Sequence, residues 1–120
     1  MKGRLYKITL DAVEKVRDLI VPPGLEELQS IVGGYIEEVP LFTVLLHEGA
    51  LHPCVAFCNE MGKLHGLPRN HLATSHWQFA LKYNGHPGLL ALSGHEVRLV
   101  DFLVGQLAVV AGDQALLDAM

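Results

Sequence analysis

Apolar positions along this chain recur at two periods, and each change of period marks a change of element. Residues 4–10, RLYKITL, alternate, setting Leu5, Lys7 and Thr9 against Tyr6, Ile8 and Leu10, which predicts an opening strand. The next stretch, DAVEKVRDLIVPPG, is ambiguous. Asp11 is placed to cap a short helix in which Val13, Val16 and Ile20 have roughly helical spacing, and Pro22-Pro23 ends whatever precedes it. Over residues 24–32, Leu25, Leu28, Ile31 and Val32 form a stripe at helical spacing, with Glu26 and Glu27 at the end where the helix dipole favours acids. Residues 35–46, YIEEVPLFTVLL, read as one long strand, in which Pro40 cannot donate to a ladder and so marks an edge or a bulge.

HEGALHP then reads as a loop, CVAFC as a strand, and NEMGK as a turn with Gly62 as its left-handed residue, followed by a short extended piece at Leu64 and His65. Asn70 is the expected N-cap of a helix running from residue 71 to about residue 83. A glycine-rich connection follows, whose middle suits a short strand. Residues 107–110 give the last strong strand, and Asp113 is placed to cap a short terminal helix. The sum is a small mixed α+β fold, with a largely antiparallel sheet and two main helices packed on one face.

Composition narrows the function classes. With 120 residues, half of them apolar and 18% charged, the chain is expected to form a single domain over residues 1–120. No apolar run approaches the ~18 residues of a membrane helix. The N-terminal MKGRLYKITL lacks the long apolar region of a signal peptide, so a cytoplasmic location is expected. A net charge of −4 argues against a general nucleic-acid binder, which needs clustered Lys and Arg to displace phosphate counterions. Cys54 and Cys58 on one strand would lie roughly 13 Å apart, too far for a disulfide, so buried free thiols are expected.

Three stretches, LQSIVGGYIE, NEMGKLHGLPRNHLAT and LVGQLAVVAGD, occur in an order that resembles domain-of-unknown-function family 3846, small proteins of phages, plasmids and bacterial chromosomes. The likeness spans about residues 25–113. It matches at Gln29, Gly33, Gly34, Glu37, Asn59, Glu60, Gly62, Asn70, Ala73 and Thr74. The resemblance implies a phage or mobile-element setting and supplies no established reaction.

Candidate chemistry concentrates in two places. Gly33-Gly34 follows a helix, the carbonyl end, where glycine stops the helix rather than cradling a phosphate. The segment GKLHGLPRNHLAT has the opposite polarity. Lys63 and Arg69 precede the helix capped by Asn70, and Thr74 lies one turn inside, an arrangement suited to a phosphate or carboxylate. Its plainer reading is an ordinary capped loop with solvated basic residues. Gln29, on the apolar side of its helix, and Glu37, on a strand face with Tyr35, form a second candidate for a polar ring such as a base. Its plainer reading is a backbone-bonded amide and a solvated carboxylate.

His47, His52, Cys54 and Cys58 match no zinc spacing, and His71 and His76 fall on different sides of a helix, so no metal or cofactor is expected. His71 and Ser75 sit one helical turn apart without a third residue to orient the imidazole, so no catalytic set is assigned. The leading expectation is a non-enzymatic binder of a small anionic ligand such as a nucleotide, or of a host protein. The alternatives are a homo-oligomer pairing through an edge strand, and a small hydrolase using a histidine or metal-bound water.

Overall fold

The computed structural model describes residues 1–93 and 96–120. In chain order the elements are β1 (Gly3–Ile8), β2 (Val13–Leu19), α1 (Leu25–Val32), β3 (Ile36–Glu38), β4 (Val44–His47), β5 (Ala50–Asn59), α2 (His71–Tyr83), β6 (Leu90–Ser93), β7 (Glu96–Leu99), β8 (Leu107–Gly112) and α3 (Gln114–Asp118). The main sheet runs β2-β1-β8-β5-β3, with β4 also on β5, while β6 and β7 form a hairpin of their own. Every pairing is antiparallel. The expected α+β class with a largely antiparallel sheet is what the molecule has.

The sheet is covered on both faces, which corrects the expectation that the two main helices share one. β8 reads LAVVAG and is apolar at successive positions, so each face needs a partner. Leu107, Val109 and Ala111 join Tyr6, Ile8, Cys54 and Ala56 under Ala73, Trp77, Ala80 and Leu81 of α2. Ala108 and Val110 join Leu5 and Leu19 under Leu28 and Val32 of α1, with Leu116 of α3 closing the same side.

The ambiguous segment after Asp11 is strand β2, not a helix. Thr9 makes the turn: its hydroxyl accepts from the Asp11 and Ala12 amides at 3.2 and 3.0 Å, and its own amide donates to the Ala12 carbonyl at 2.9 Å. Charge then sets the register. Arg4 faces Asp18 and Lys7 faces Glu14, with ion pairs of 3.6 and 3.4 Å. Arg17 reaches from β2 to α1 and holds Glu27 in a two-point fork at 2.6 and 2.9 Å, which keeps the Glu27 carboxyl below its ordinary range.

The long strand expected over residues 35–46 is divided where Pro40 stands. β3 and β4 lie on the same flank of β5, because Val39 N–H donates to Ala56 and Cys54 N–H donates to Thr43, both at 2.9 Å. Between them the chain loops out. Leu41 has φ 59°, a left-handed value in a turn position where glycine is usual. Trp77 and Asn84 hold that loop from α2, the indole N–H donating to the Pro40 carbonyl at 2.8 Å and the Asn84 amide to the Leu41 carbonyl at 3.2 Å.

HEGALHP is a tight hairpin rather than a loop, since Glu48 and Gly49 both take positive φ and join β4 directly to β5. The extended piece expected at Leu64 and His65 is a run of turns, with Gly66 rather than Gly62 in the left-handed region. The middle of the glycine-rich connection supplies β6. Both expected caps are present, Asn70 accepting from the Ala73 amide and Asp113 from the Leu116 amide, each at 2.9 Å.

Candidate functional site

Asn70 is the most heavily engaged polar side chain in the interior. It is fully buried, and its amide nitrogen donates to the Ile8 carbonyl at 3.0 Å and the Gly105 carbonyl at 2.8 Å while its oxygen caps α2. One side chain thus joins β1, α2 and the segment leading into β8. Thr74, also buried, donates to the Asn70 carbonyl at 2.8 Å and accepts from the Leu103 amide at 2.9 Å. With these bonds made, both residues serve the fold. The segment 101–105 lies across the start of α2, its Leu103 carbonyl accepting from Asn70 N–H and its Gly105 amide donating to Pro68.

That segment also engages the two cations expected to hold an anion. Lys63 pairs with Asp101 at 2.5 Å and sits 4.6 Å from the centre of the Phe102 ring. Arg69 stacks on the same ring at 3.9 Å. The loop that precedes α2 is therefore pinned to Asp101-Phe102, a pair that sequence reasoning passed over. Opposite charge was the available signal, but 38 residues separate Lys63 from Asp101.

Beside this clasp is a cleft of about 220 Å³ between β3, β5 and residues 101–104. Glu37 and Cys58, directly paired across β3 and β5, form one wall. Lys63, Asp101 and Phe102 form the other, with Trp77 behind. Glu60 adds a further carboxylate, so three acids border the cleft against a single, already paired lysine. Glu38, next to Glu37 on β3 and opposite Phe57, projects to the other face of the sheet.

Gln29 lies elsewhere. It lines a neighbouring concavity of about 290 Å³ with Gly33, Gly34, Tyr35, Met61 and His65. Asn59 is the partition, bordering both hollows while its amide donates to the Val32 carbonyl at 3.3 Å and accepts from Met61 N–H at 2.9 Å. The structure therefore sets Glu37 and Lys63 on one cleft, places Gln29 across Asn59 from them, stacks Arg69 on the Phe102 ring that Lys63 also meets, and sinks Asn70 and Thr74 into the core.

Titration behaviour adds to this picture. Burial, with Glu37 alongside, pushes the Cys58 thiol up to about 11, and burial alone pushes Cys54 up to about 12, so both are poor nucleophiles near neutrality. His76 is held below its usual value by burial first and by neighbouring His47 second, and so stays uncharged near neutrality. Ser75 donates its hydroxyl to the His71 backbone carbonyl at 2.9 Å rather than to the imidazole. Among the described residues no group of three His, Cys, Asp or Glu side chains is placed to hold a metal ion, and no helix is long and apolar enough to cross a membrane.

These features define a small α+β protein whose sheet is sandwiched between helices and in which two clefts adjoin across Asn59 at the β3–β5 margin. The chain belongs to the family DUF3846, a domain of unknown function, whose model matches residues 4–115. Neither the curated proteins nor the solved structures yield a match to it.

Proposed function

We propose that this protein is a non-catalytic binding protein whose ligand enters the cleft between Glu37 and Asp101. The observation that carries this reading is the cleft's charge balance, the carboxylates of Glu37, Glu60 and Asp101 against a lysine already bonded to one of them. Such a site favours hydrogen-bond donors and cations and repels phosphate. The anionic ligand expected from Lys63 and Arg69 is thus replaced by an amine, an amidine or the amino edge of a base. At about 220 Å³ the cleft is smaller than the roughly 300–1,000 Å³ of drug-sized sites, which suits a single small group. Free thiols at Cys54 and Cys58 accord with a reducing cytoplasmic setting, the one proposed here, in a phage- or plasmid-bearing bacterium.

Calorimetry with agmatine, adenine and cytosine, set against orthophosphate and citrate, tests this. The donors should bind, and Glu37→Gln should weaken them about tenfold or more, the worth of one charge-assisted hydrogen bond. Preference for the anions, or indifference to Glu37→Gln, counts against it.

A second reading, association with a host protein or a second copy, draws on the β6–β7 hairpin. This arm stands apart from the main sheet and exposes Leu90, Val97, Leu99 and the adjoining Val100. Sedimentation should then show concentration-dependent association that Val97→Lys abolishes. A strict monomer at high concentration, with the host extract giving no partner for the arm, would remove this reading.

A further inference from the structure

The main sheet does not end evenly. β8 stops at Gly112, opposite Gly3 of β1, whereas β5 runs back past Cys54, the partner of Ala111, through Pro53 and His52 into the β4–β5 hairpin. Between that hairpin and the β1–β2 edge is a notch of about 600 Å³, floored by Ala111 and Gly112. No α2 residue lines it, so this part of the sheet face is left uncovered. Its volume lies within the roughly 300–1,000 Å³ of small-molecule sites.

We infer that this notch binds a small organic phosphate. β1 alternates so that Lys2, Arg4 and Tyr6 project to one side, and all three line the notch together with His52 from β5. The Tyr6 ring is almost wholly buried and is fixed against His47 at 5.3 Å and near His52 at 6.3 Å, so its phenol is pre-positioned. Arg4 meets Asp18 through Nε at 3.6 Å, with both side chains more than half exposed, and has the Tyr6 phenol as its nearest polar neighbour, so guanidinium and phenol present one paired donor surface to an anion.

Asp18 is itself shared with Lys15 at 3.2 Å. The Lys2 ammonium has no ion-pair partner among the described residues. Glu48 at the hairpin tip opposes this charge, but it is mostly turned to solvent beside His47. Two cations, a phenol and an imidazole therefore converge with one carboxylate, Asp18, which Lys15 also engages, in a chain whose net charge is −4. Ile20 and Pro53 supply an apolar wall for the body of the molecule. A phosphate monoester uses both features. A carboxylate offers fewer oxygens to Arg4, Lys2 and Tyr6, and a neutral ring offers none.

The test is an amide chemical-shift titration of the full chain with phenyl phosphate, phenol, benzoate and orthophosphate. Phenyl phosphate should saturate and move Gly3, Tyr6, Ala111 and Gly112, while phenol should do nothing and benzoate and orthophosphate should bind more weakly. Arg4→Gln and Lys2→Gln, both at exposed positions, should each weaken phenyl phosphate about tenfold or more, and Lys63→Gln should leave it unchanged. The inference is overturned by absence of saturation, by shifts centred on Glu37 and Asn59, by benzoate binding as tightly as phenyl phosphate, or by insensitivity to Arg4→Gln. Because the reporting amides differ from those of the Glu37 cleft, failure here and failure of the function proposed above are separately visible.

Discussion

Asn70→Ala should lower unfolding free energy by about 3–5 kcal/mol, measured by urea denaturation at neutral pH. Three bonds go at once. The Ile8 and Gly105 carbonyls lose their donor and the Ala73 amide loses its cap, all in an interior that water does not reach. Losing a cap alone typically costs about 0.5–2 kcal/mol, and each buried group left unpaired adds about 1–3 kcal/mol less whatever the site recovers by relaxing. Asn70→Asp separates the contributions. It keeps the capping oxygen but turns a carboxylate toward two carbonyls, so it should be at least as damaging as alanine. If Asn70→Ala costs under about 1 kcal/mol, the residue is an ordinary cap and not the brace described here.

Gly34→Ala should cost about 1–3 kcal/mol by crowding, and the position before it should respond for a different reason. A Cβ on Gly34 would lie 2.9 Å from the Asn59 amide nitrogen and 3.3 Å from its carbonyl carbon and oxygen. Asn59 cannot retreat cheaply, because it is bonded to Val32 on one side and Met61 on the other. Gly33 has open space around it but sits at φ 79°. Its amide closes α1 on the Gln29 carbonyl at 2.8 Å. Asparagine, which tolerates left-handed backbone, should therefore be accepted at residue 33 and refused at residue 34. Thermal melts of Gly33→Asn and Gly34→Asn check this; equal losses would show that one cause governs both glycines.

How far the sequence carried the fold depends on where each determinant sits. Helix α2 with its Asn70 cap, α3 with its Asp113 cap and the glycine stop after α1 were readable because each is decided within a few residues. β2 was not. Val13, Val16 and Ile20 fall at helical spacing, and what makes them a strand is Thr9's turn and the pairing of Lys7 with Glu14 and Arg4 with Asp18. Those pairs cannot be seen until a register is chosen. The two-sided cover of the sheet was implicit in the apolar run of β8, whose length alone does not say which helix takes which face.

The candidate site was legible in pieces. Glu37 and Lys63 line one cleft, but the sequence offered no sign that Asp101 would neutralise Lys63 or that Phe102 would seat Arg69. Nor does a polar residue in a matching motif declare whether it faces a ligand or the interior. Asn59 and Asn70 turn inward, and Glu37 faces the cleft. The motif positions are better understood as the frame of two adjoining hollows than as one ligand-binding row. The notch escaped notice because Lys2, Arg4 and Tyr6 gain a common purpose only when β8 ends short beside them.

The proposed function requires the carboxylate-lined cleft at the β3–β5 margin to select donors over anions. The most direct measurement is an amide chemical-shift map of the intact protein titrated with agmatine and, separately, with orthophosphate. Agmatine should shift Glu37, Cys58, Asp101 and Phe102 in wild type and cease to do so in Glu37→Gln, with orthophosphate leaving these four amides in place. Shifts of the same four amides by orthophosphate alone would contradict it.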